Sequence, residues 1–175
     1  MGRVIFITGG TRSGKSSFAV KMAKRISDTN SRVAFMATCI PEDEEMKRRV
    51  ALHKKKRPFS WKTIEVKADI LKELKKIKSS FKVVIIDCLT LFVSGLLMQG
   101  LNESQIKKKI EEIARFISHA LYTTIVVSNE VGSGVVPENR LAREFRDLAG
   151  LTNQIVARKA DEVYLVVSGI PLKIK

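Results

Sequence analysis

The sequence predicts an α/β domain with a mostly parallel sheet flanked by helices, and three observations carry that prediction. Short runs of β-branched residues recur, as in Val83-Val84-Ile85-Ile86 and Thr123-Thr124-Ile125-Val126-Val127. Segments with apolar residues at helical spacing lie between them. The run Lys82–Asp87 is almost continuously apolar, as a central parallel strand covered on both faces requires.

Taken in order, Arg3–Thr8 reads as a strand, Ser17–Ile26 as a helix and Arg32–Thr38 as a second strand. Pro41 opens a charged helix that reaches about His53 and is stopped by Pro58. Trp61–Val66 alternates like a strand, and Asp69–Lys78 places Ile70, Leu71, Leu74 and Ile77 on one helical face. After the Lys82–Asp87 strand, Asn102 with Gln105 forms a capping box ahead of the stripe Ile106, Ile110, Ile113 and Ile117. Thr123–Ser128 is a buried strand, and Arg140–Ala149 is a helix with Leu141, Phe145 and Leu148 on one face. Val163–Val167 is a strand. Gly169-Ile170-Pro171 then turns the chain into a final strand with Leu172 and Ile174 alternating, an antiparallel edge hairpin.

A length of 175 residues fits one domain, 1–175, large enough to fold without a disulfide or metal staple. Cys39 and Cys88 adjoin apolar runs and read as free thiols in a reducing compartment. The chain has no 18-residue apolar stretch and opens directly into a strand, so the expectation is a cytoplasmic protein with no membrane partner. The net charge of +14, from 32 basic against 18 acidic residues, admits nucleic acid, an anionic membrane or a polyphosphate as partner. Its lysines are spread over helix faces, such as Lys72, Lys75, Lys76, Lys78 and Lys107 to Lys109, with few aromatics interleaved. That distribution reads as solvation and not as a nucleic-acid surface.

Gly9-Gly10-Thr11-Arg12-Ser13-Gly14-Lys15-Ser16 satisfies G-x-x-x-x-G-K-[ST] at every fixed position. It follows a predicted strand and opens a predicted helix, the context a P-loop needs. Successive backbone amides and the helix start converge on phosphate oxygens, and glycine lets the backbone come close. Lys15 would reach the β- and γ-phosphates of a nucleoside triphosphate, and the Ser16 hydroxyl would ligate Mg²⁺. Asp87, at the tip of the central strand, would hold the same Mg²⁺ or accept a proton from an attacking hydroxyl.

The charged segment Pro41–Pro58 adds a candidate nucleophile. Its acids occupy the first turn and its bases the last, matching the helix dipole. Met46, Val50 and His53 fall on one face, and Lys54, Lys55, Lys56 and Arg57 follow. Neighbouring cations keep an imidazole neutral and would stabilise departing pyrophosphate, so His53 can attack phosphorus; from spacing alone, a lone histidine at a helix end is more often structural. His119, on an amphipathic helix, reads as structural.

The chain resembles the bifunctional adenosylcobinamide kinase/adenosylcobinamide-phosphate guanylyltransferase family over nearly its whole length. The likeness rests on Thr8 to Ser16, Ala37-Thr38, Arg49 to His53, Arg57-Pro58, Trp61 and Asp87 to Thr90. Ser128 to Gly132, Pro137 to Arg143 and Val166 to Lys175 complete it. The resemblance implies a RecA-type P-loop fold and two reactions. A γ-phosphoryl group passes from ATP or GTP to the hydroxyl of adenosylcobinamide. A histidine then attacks the α-phosphorus of GTP and hands GMP to adenosylcobinamide phosphate, giving adenosylcobinamide-GDP. It places the guanylylated histidine on His53. It places nucleotide contacts on Gly9, Gly10, Thr11, Arg12, Ser13, Gly14, Lys15, Ser16, Ala37, Thr38, Cys39, Lys54, Lys55, Lys56, Arg57, Glu65 and Asp87. It also implies a homotrimer. Where some members carry two adjacent histidines, this chain has Leu52 before His53. A P-loop small-molecule kinase without the transferase step, and a RecA-like nucleic-acid-stimulated ATPase, are the alternatives.

Overall fold

The computed structural model describes residues 2–27, 32–38, 44–55, 57–66 and 69–175. Within 44–55 the side chains of Met46, Lys47, Arg49, Leu52, His53 and Lys55 lie outside the description. The elements run β1 (Val4–Thr8), α1 (Lys15–Ile26), β2 (Arg32–Ala37), α2 (Glu44–Lys55), β3 (Lys62–Glu65), α3 (Ile70–Lys75) and β4 (Phe81–Asp87). They continue with α4 (Leu89–Met98), α5 (Glu103–Ser118), β5 (Thr123–Val127), α6 (Arg140–Lys159), β6 (Glu162–Val167) and β7 (Ile170–Lys173).

The strands form one seven-stranded sheet in the order β3-β2-β4-β5-β1-β6-β7. β1 to β6 pair in parallel, and β7 closes the edge antiparallel to β6. This is the mostly parallel sheet with a terminal hairpin that the sequence predicts.

Alternation along the strands divides the core in two. Phe6, Met36, Val84, Ile86 and Val126 face a cluster completed by residues of α3, α4, α5 and α6. Ile5, Ile7, Phe35, Ile85 and Val127 face the other side, where α1 packs through Ala19 and Ala23. Because both faces are covered, the central strands are apolar at nearly every position. Burying one such isoleucine or phenylalanine contributes about 1.5–3 kcal/mol.

Two helices differ most from the sequence reading, and α3 ends at Lys75, three residues before the predicted Lys78. Periodicity assigns nothing between Asp87 and Asn102, yet α4 fills that stretch. Leu89, Phe92, Val93 and Leu96 are all buried, and a helix that is apolar on most sides shows no amphipathic period. Helix α6 runs ten residues past Ala149, through Gly150, because Thr152, Ile155 and Val156 continue its buried face. Packing against neighbouring helices outweighs the cost of roughly 1 kcal/mol for a mid-helix glycine. The capping box is present as expected: Asn102 Oδ1 accepts from the Gln105 amide, and Gln105 Oε1 accepts from the Asn102 amide, both at 3.0 Å. Lys175 Nζ donates to the carbonyl of Ala160 at 2.6 Å and reaches those of Ala157 and Arg158, capping α6.

Glu162 stitches the far edge of the sheet. It accepts from Tyr164 Oη at 2.6 Å and pairs with Lys173 and Arg3, each at 3.1 Å, so one carboxylate joins β6, β7 and the residue just before β1. The Tyr164 hydrogen bond leads in holding its pKa below the ordinary value, with the Lys173 and Arg3 charges adding to it. A depressed folded-state pKa contributes stability that is present at neutral pH and is lost as pH falls through that value. Glu162→Gln is therefore expected to lower unfolding stability at pH 7 by about 1 kcal/mol. Denaturant titrations should show the gap closing below roughly pH 4.

Candidate active site

The strand order places the loop after β1 beside the ends of β5 and β6. Gly9 and Gly14 adopt φ of 149° and 98°, the region that favours glycine, and Arg12 also has positive φ. A Cβ on Gly9 would stand 2.3 Å from the Val166 carbonyl oxygen. Gly14 ends the loop as the residue before α1, so the first amides of that helix, which have no intrahelical acceptor, open onto the loop. Neighbouring backbone holds the loop from both sides: the Glu130 amide donates to the Gly9 carbonyl at 2.9 Å and the Gly169 amide to the Ser13 carbonyl at 2.8 Å.

Lys15 is 6% exposed and its ammonium donates to the Gly10 carbonyl at 2.6 Å, folded back over the loop. Burial pulls its pKa down; the Cys88 and Asp87 charges oppose this. Burial also pushes the Cys88 thiol up to about 11, so at neutral pH Cys88 is uncharged and Asp87 is left to sustain the lysine charge.

The carboxyl ends of β3, β2 and β4 continue the same edge. Register pairs Ala37 with both Glu65 and Asp87, so the two acids flank β2. With strands about 4.8 Å apart, Asp87 lies two strand spacings, roughly 10 Å, from β1 and Glu65 twice that far. Arg57 comes between the two acids. Its guanidinium stacks 3.5 Å from the centre of the Phe35 ring. Burial lowers its pKa, and Asp87 and then Glu65 oppose that shift. Its buried Nη1 has no hydrogen-bond partner among the described residues. Lys54 Nζ meets Glu65 Oε1 at 2.7 Å, which draws the end of α2 to the end of β3.

The predicted site residues thus gather on one edge: the 9–16 loop, Ala37, Thr38, Lys54, Arg57, Glu65 and Asp87. Cys39 and Lys56, and the side chains of His53 and Lys55, lie outside the described residues. Thr38 carries a structural load as well. Its hydroxyl donates to the Cys88 carbonyl at 2.6 Å and accepts from the Cys88 amide at 2.8 Å, clamping the chain as it leaves Asp87. Below lies a polar layer that sequence reading missed. Thr90 Oγ1 sits 2.9 Å from Ser128 Oγ and accepts from the Asn129 amide, while Asn153 Nδ2 donates to the Asn129 carbonyl at 3.0 Å. These partners are 38, 39 and 24 residues apart, so no local pattern announces them. A cleft of about 340 Å³ between α5 and α6, lined by Lys107, Arg115 and Leu151, contains none of the predicted site residues.

Among the described residues no cluster of three histidine, cysteine or acidic side chains could cage a metal. Ser16 and Asp87, one hydroxyl and one carboxylate, fit Mg²⁺, which keeps several waters and takes further ligands from substrate phosphates.

Comparison with known proteins fixes the lineage. A family model described as cobinamide kinase / cobinamide phosphate guanyltransferase (CobU) matches residues 5–174. The chain belongs to that family. It is 36% identical to the bifunctional adenosylcobalamin biosynthesis protein CobU of Escherichia coli K12, over 98% of this chain and 99% of that one. The Salmonella typhimurium LT2 protein of the same name is 38% identical over the same shares. The bifunctional adenosylcobalamin biosynthesis protein CobP of Pseudomonas aeruginosa PAO1 is 33% identical over 97% of this chain and 95% of that one. Among solved structures, an ATPase domain superposes with a TM-score of 0.55 at 15% identity, covering 93% of this chain and 68% of that chain. That likeness shows the P-loop ATPase fold alone. No described helix of this CobU-family chain is long and apolar enough to cross a membrane.

Two measurements check the geometry. Gly9→Ala should cost about 2 kcal/mol or more of stability, because the new Cβ meets backbone and the φ is strained, and should weaken ATP binding. In a Cys39→Ser background, Cys88 should resist a disulfide exchange reagent at pH 8 and react promptly once the protein is unfolded.

Proposed function

We propose that this protein phosphorylates adenosylcobinamide with ATP or GTP and then guanylylates the product, with His53 as the covalent carrier. The observation that supports this best is the convergence on one sheet edge of the phosphate loop, Asp87, Arg57 and the end of α2, in a member of the CobU family.

In the kinase step the γ-phosphorus is attacked by the acceptor hydroxyl, the bond to the β-phosphate oxygen breaks, and the nucleoside diphosphate leaves. Loop amides and Lys15 hold the phosphates and offset the charge that develops. Asp87 accepts the hydroxyl proton or ligates the metal. Mg²⁺ held by Ser16 and Asp87 would supply further charge neutralisation.

In the second step a neutral His53 ring nitrogen attacks the α-phosphorus of GTP. A phosphorus–nitrogen bond forms, the α–β bridging bond breaks, and pyrophosphate departs toward Lys54, Lys55, Lys56 and Arg57. A phosphate oxygen of adenosylcobinamide phosphate then displaces the histidine, giving adenosylcobinamide-GDP and free His53. Ala37, Thr38, Cys39, Glu65 and Asp87 complete the nucleotide contacts in this reading. We further propose one domain over 1–175, a homotrimer, and a cytoplasmic location, where ATP and GTP are supplied.

Labelling separates the two chemistries. Incubation with α-³²P-GTP should leave acid-labile, alkali-stable label on the denatured protein, γ-³²P-GTP should leave none, and His53→Ala should abolish the signal. A GTP-binding protein that retains no α-label would disprove the transferase half. Lys15→Ala should lower kcat for adenosylcobinamide phosphorylation by about 10²–10³-fold. Light scattering after size exclusion should return three times the 19.6 kDa chain mass.

A further inference from the structure

The closing hairpin has no role in the chemistry above, yet its turn touches the phosphate loop. Val167 pairs with Ile170, so Ser168 and Gly169 form a two-residue turn, and their φ of 51° and 84° are those of the hairpin turn that follows strand twist. The Gly169 amide donates to the Ser13 carbonyl at 2.8 Å. A Cβ placed on Gly14 would stand 3.2 Å from Gly169 Cα and 3.8 Å from a Val166 methyl. The loop therefore rests against the end of β6 and the turn that follows it.

The hydrogen bond has a directional consequence. In a trans peptide the carbonyl and the amide point to opposite sides of one rigid plane. Gly169 holds the carbonyl of the Ser13–Gly14 peptide, so the Gly14 amide is aimed away from the turn. That amide lies at the start of α1, immediately before Lys15, where donors for a phosphate are needed. The hairpin does not need this bond for its own register, because four β6–β7 residue pairs and the Glu162–Lys173 ion pair already hold β7 in place.

We infer that the Ser168–Gly169 turn is a positioning element of the phosphate site, acting through the Gly169 amide, which locks the Ser13–Gly14 peptide so that the Gly14 amide meets a bound nucleotide phosphate. The inference rests on the reading of residues 9–16 as the nucleotide cradle. It makes Gly169 a residue that touches no substrate yet sets affinity for one. Asparagine, which tolerates positive φ and keeps the amide, should serve at 169; proline, which has neither property, should not.

The test measures the dissociation constant of a fluorescent ATP analogue with Mg²⁺, alongside the melting temperature of the nucleotide-free protein. Gly169→Asn should bind within about twofold of the parent, and Gly169→Pro should bind at least about tenfold more weakly. A semisynthetic protein with an ester in place of the 169 amide removes the donor alone, and is compared with an amide protein carrying the same ligation junction. The expected result is an affinity loss of about fivefold with a melting temperature lowered by no more than about 4 °C. Equal affinity in the ester and amide proteins overturns the inference. So does a lower melting temperature without an affinity change, since the bond would then only hold the hairpin. A parent that binds no ATP overturns the nucleotide reading of the loop itself.

Discussion

Everything at the site depends on how closely the 9–16 loop can approach its neighbours' backbone. At Gly9 the missing side chain leaves room for the Val166 carbonyl, and at Gly14 it leaves room for Gly169. A loop of consecutive amides curled around an anion is conformationally expensive, because several residues must sit at positive φ with their carbonyls turned outward. The structure stabilises that arrangement by giving outward carbonyls partners: Glu130 from the β5 side and Gly169 from the β6 side. The strand order makes this possible, since β1 lies between β5 and β6.

The second constraint is electrostatic. Lys15 and Arg57 are both partly desolvated, and burial acts on each in the direction that disfavours its charge. Asp87 counters both, so one strand-end carboxylate sustains the cation at the phosphate loop and the cation stacked on Phe35. Thr38 and the polar layer under Cys88 hold the backbone that carries this carboxylate. The uncharged thiol of Cys88 beside it adds no competing anion. An incoming polyphosphate therefore meets cations that are already held in place.

What the sequence announces is what is local. Gly9 to Ser16, the apolar run into Asp87 and the Asn102 capping box each declare themselves within a few residues, and the structure has all three. Helix α4 escapes because it is buried on most sides and so has no period; the end of α6 escapes because Gly150 resembles a stop. At the site, residue types were legible and their supports were not. The Thr38 clamp on Cys88 spans 50 residues, and Gly169 acts on Ser13 through main-chain atoms that no side-chain pattern encodes.

The division of labour along the edge follows from what each reaction demands. Phosphoryl transfer asks the protein for position and charge and little covalent help, and a rigid loop braced by two strands supplies both. Nucleotidyl transfer through a covalent intermediate asks for a nucleophile that stays neutral and a cationic exit for pyrophosphate. In the proposed reading, the helix ending in His53-Lys54-Lys55, with Lys56 and Arg57 following in the chain, would supply both. Contact between Lys54 and Glu65 brings that helix end to the same edge without burying it, and such an exposed pair contributes little stability. The phosphate loop and Arg57 are thus held by packing, whereas the described side chains of α2, apart from the half-buried Val50, stand exposed. In the proposed transferase step, a nucleophile carried by that exposed helix would meet the α-phosphorus of one substrate and then yield to the phosphate of another.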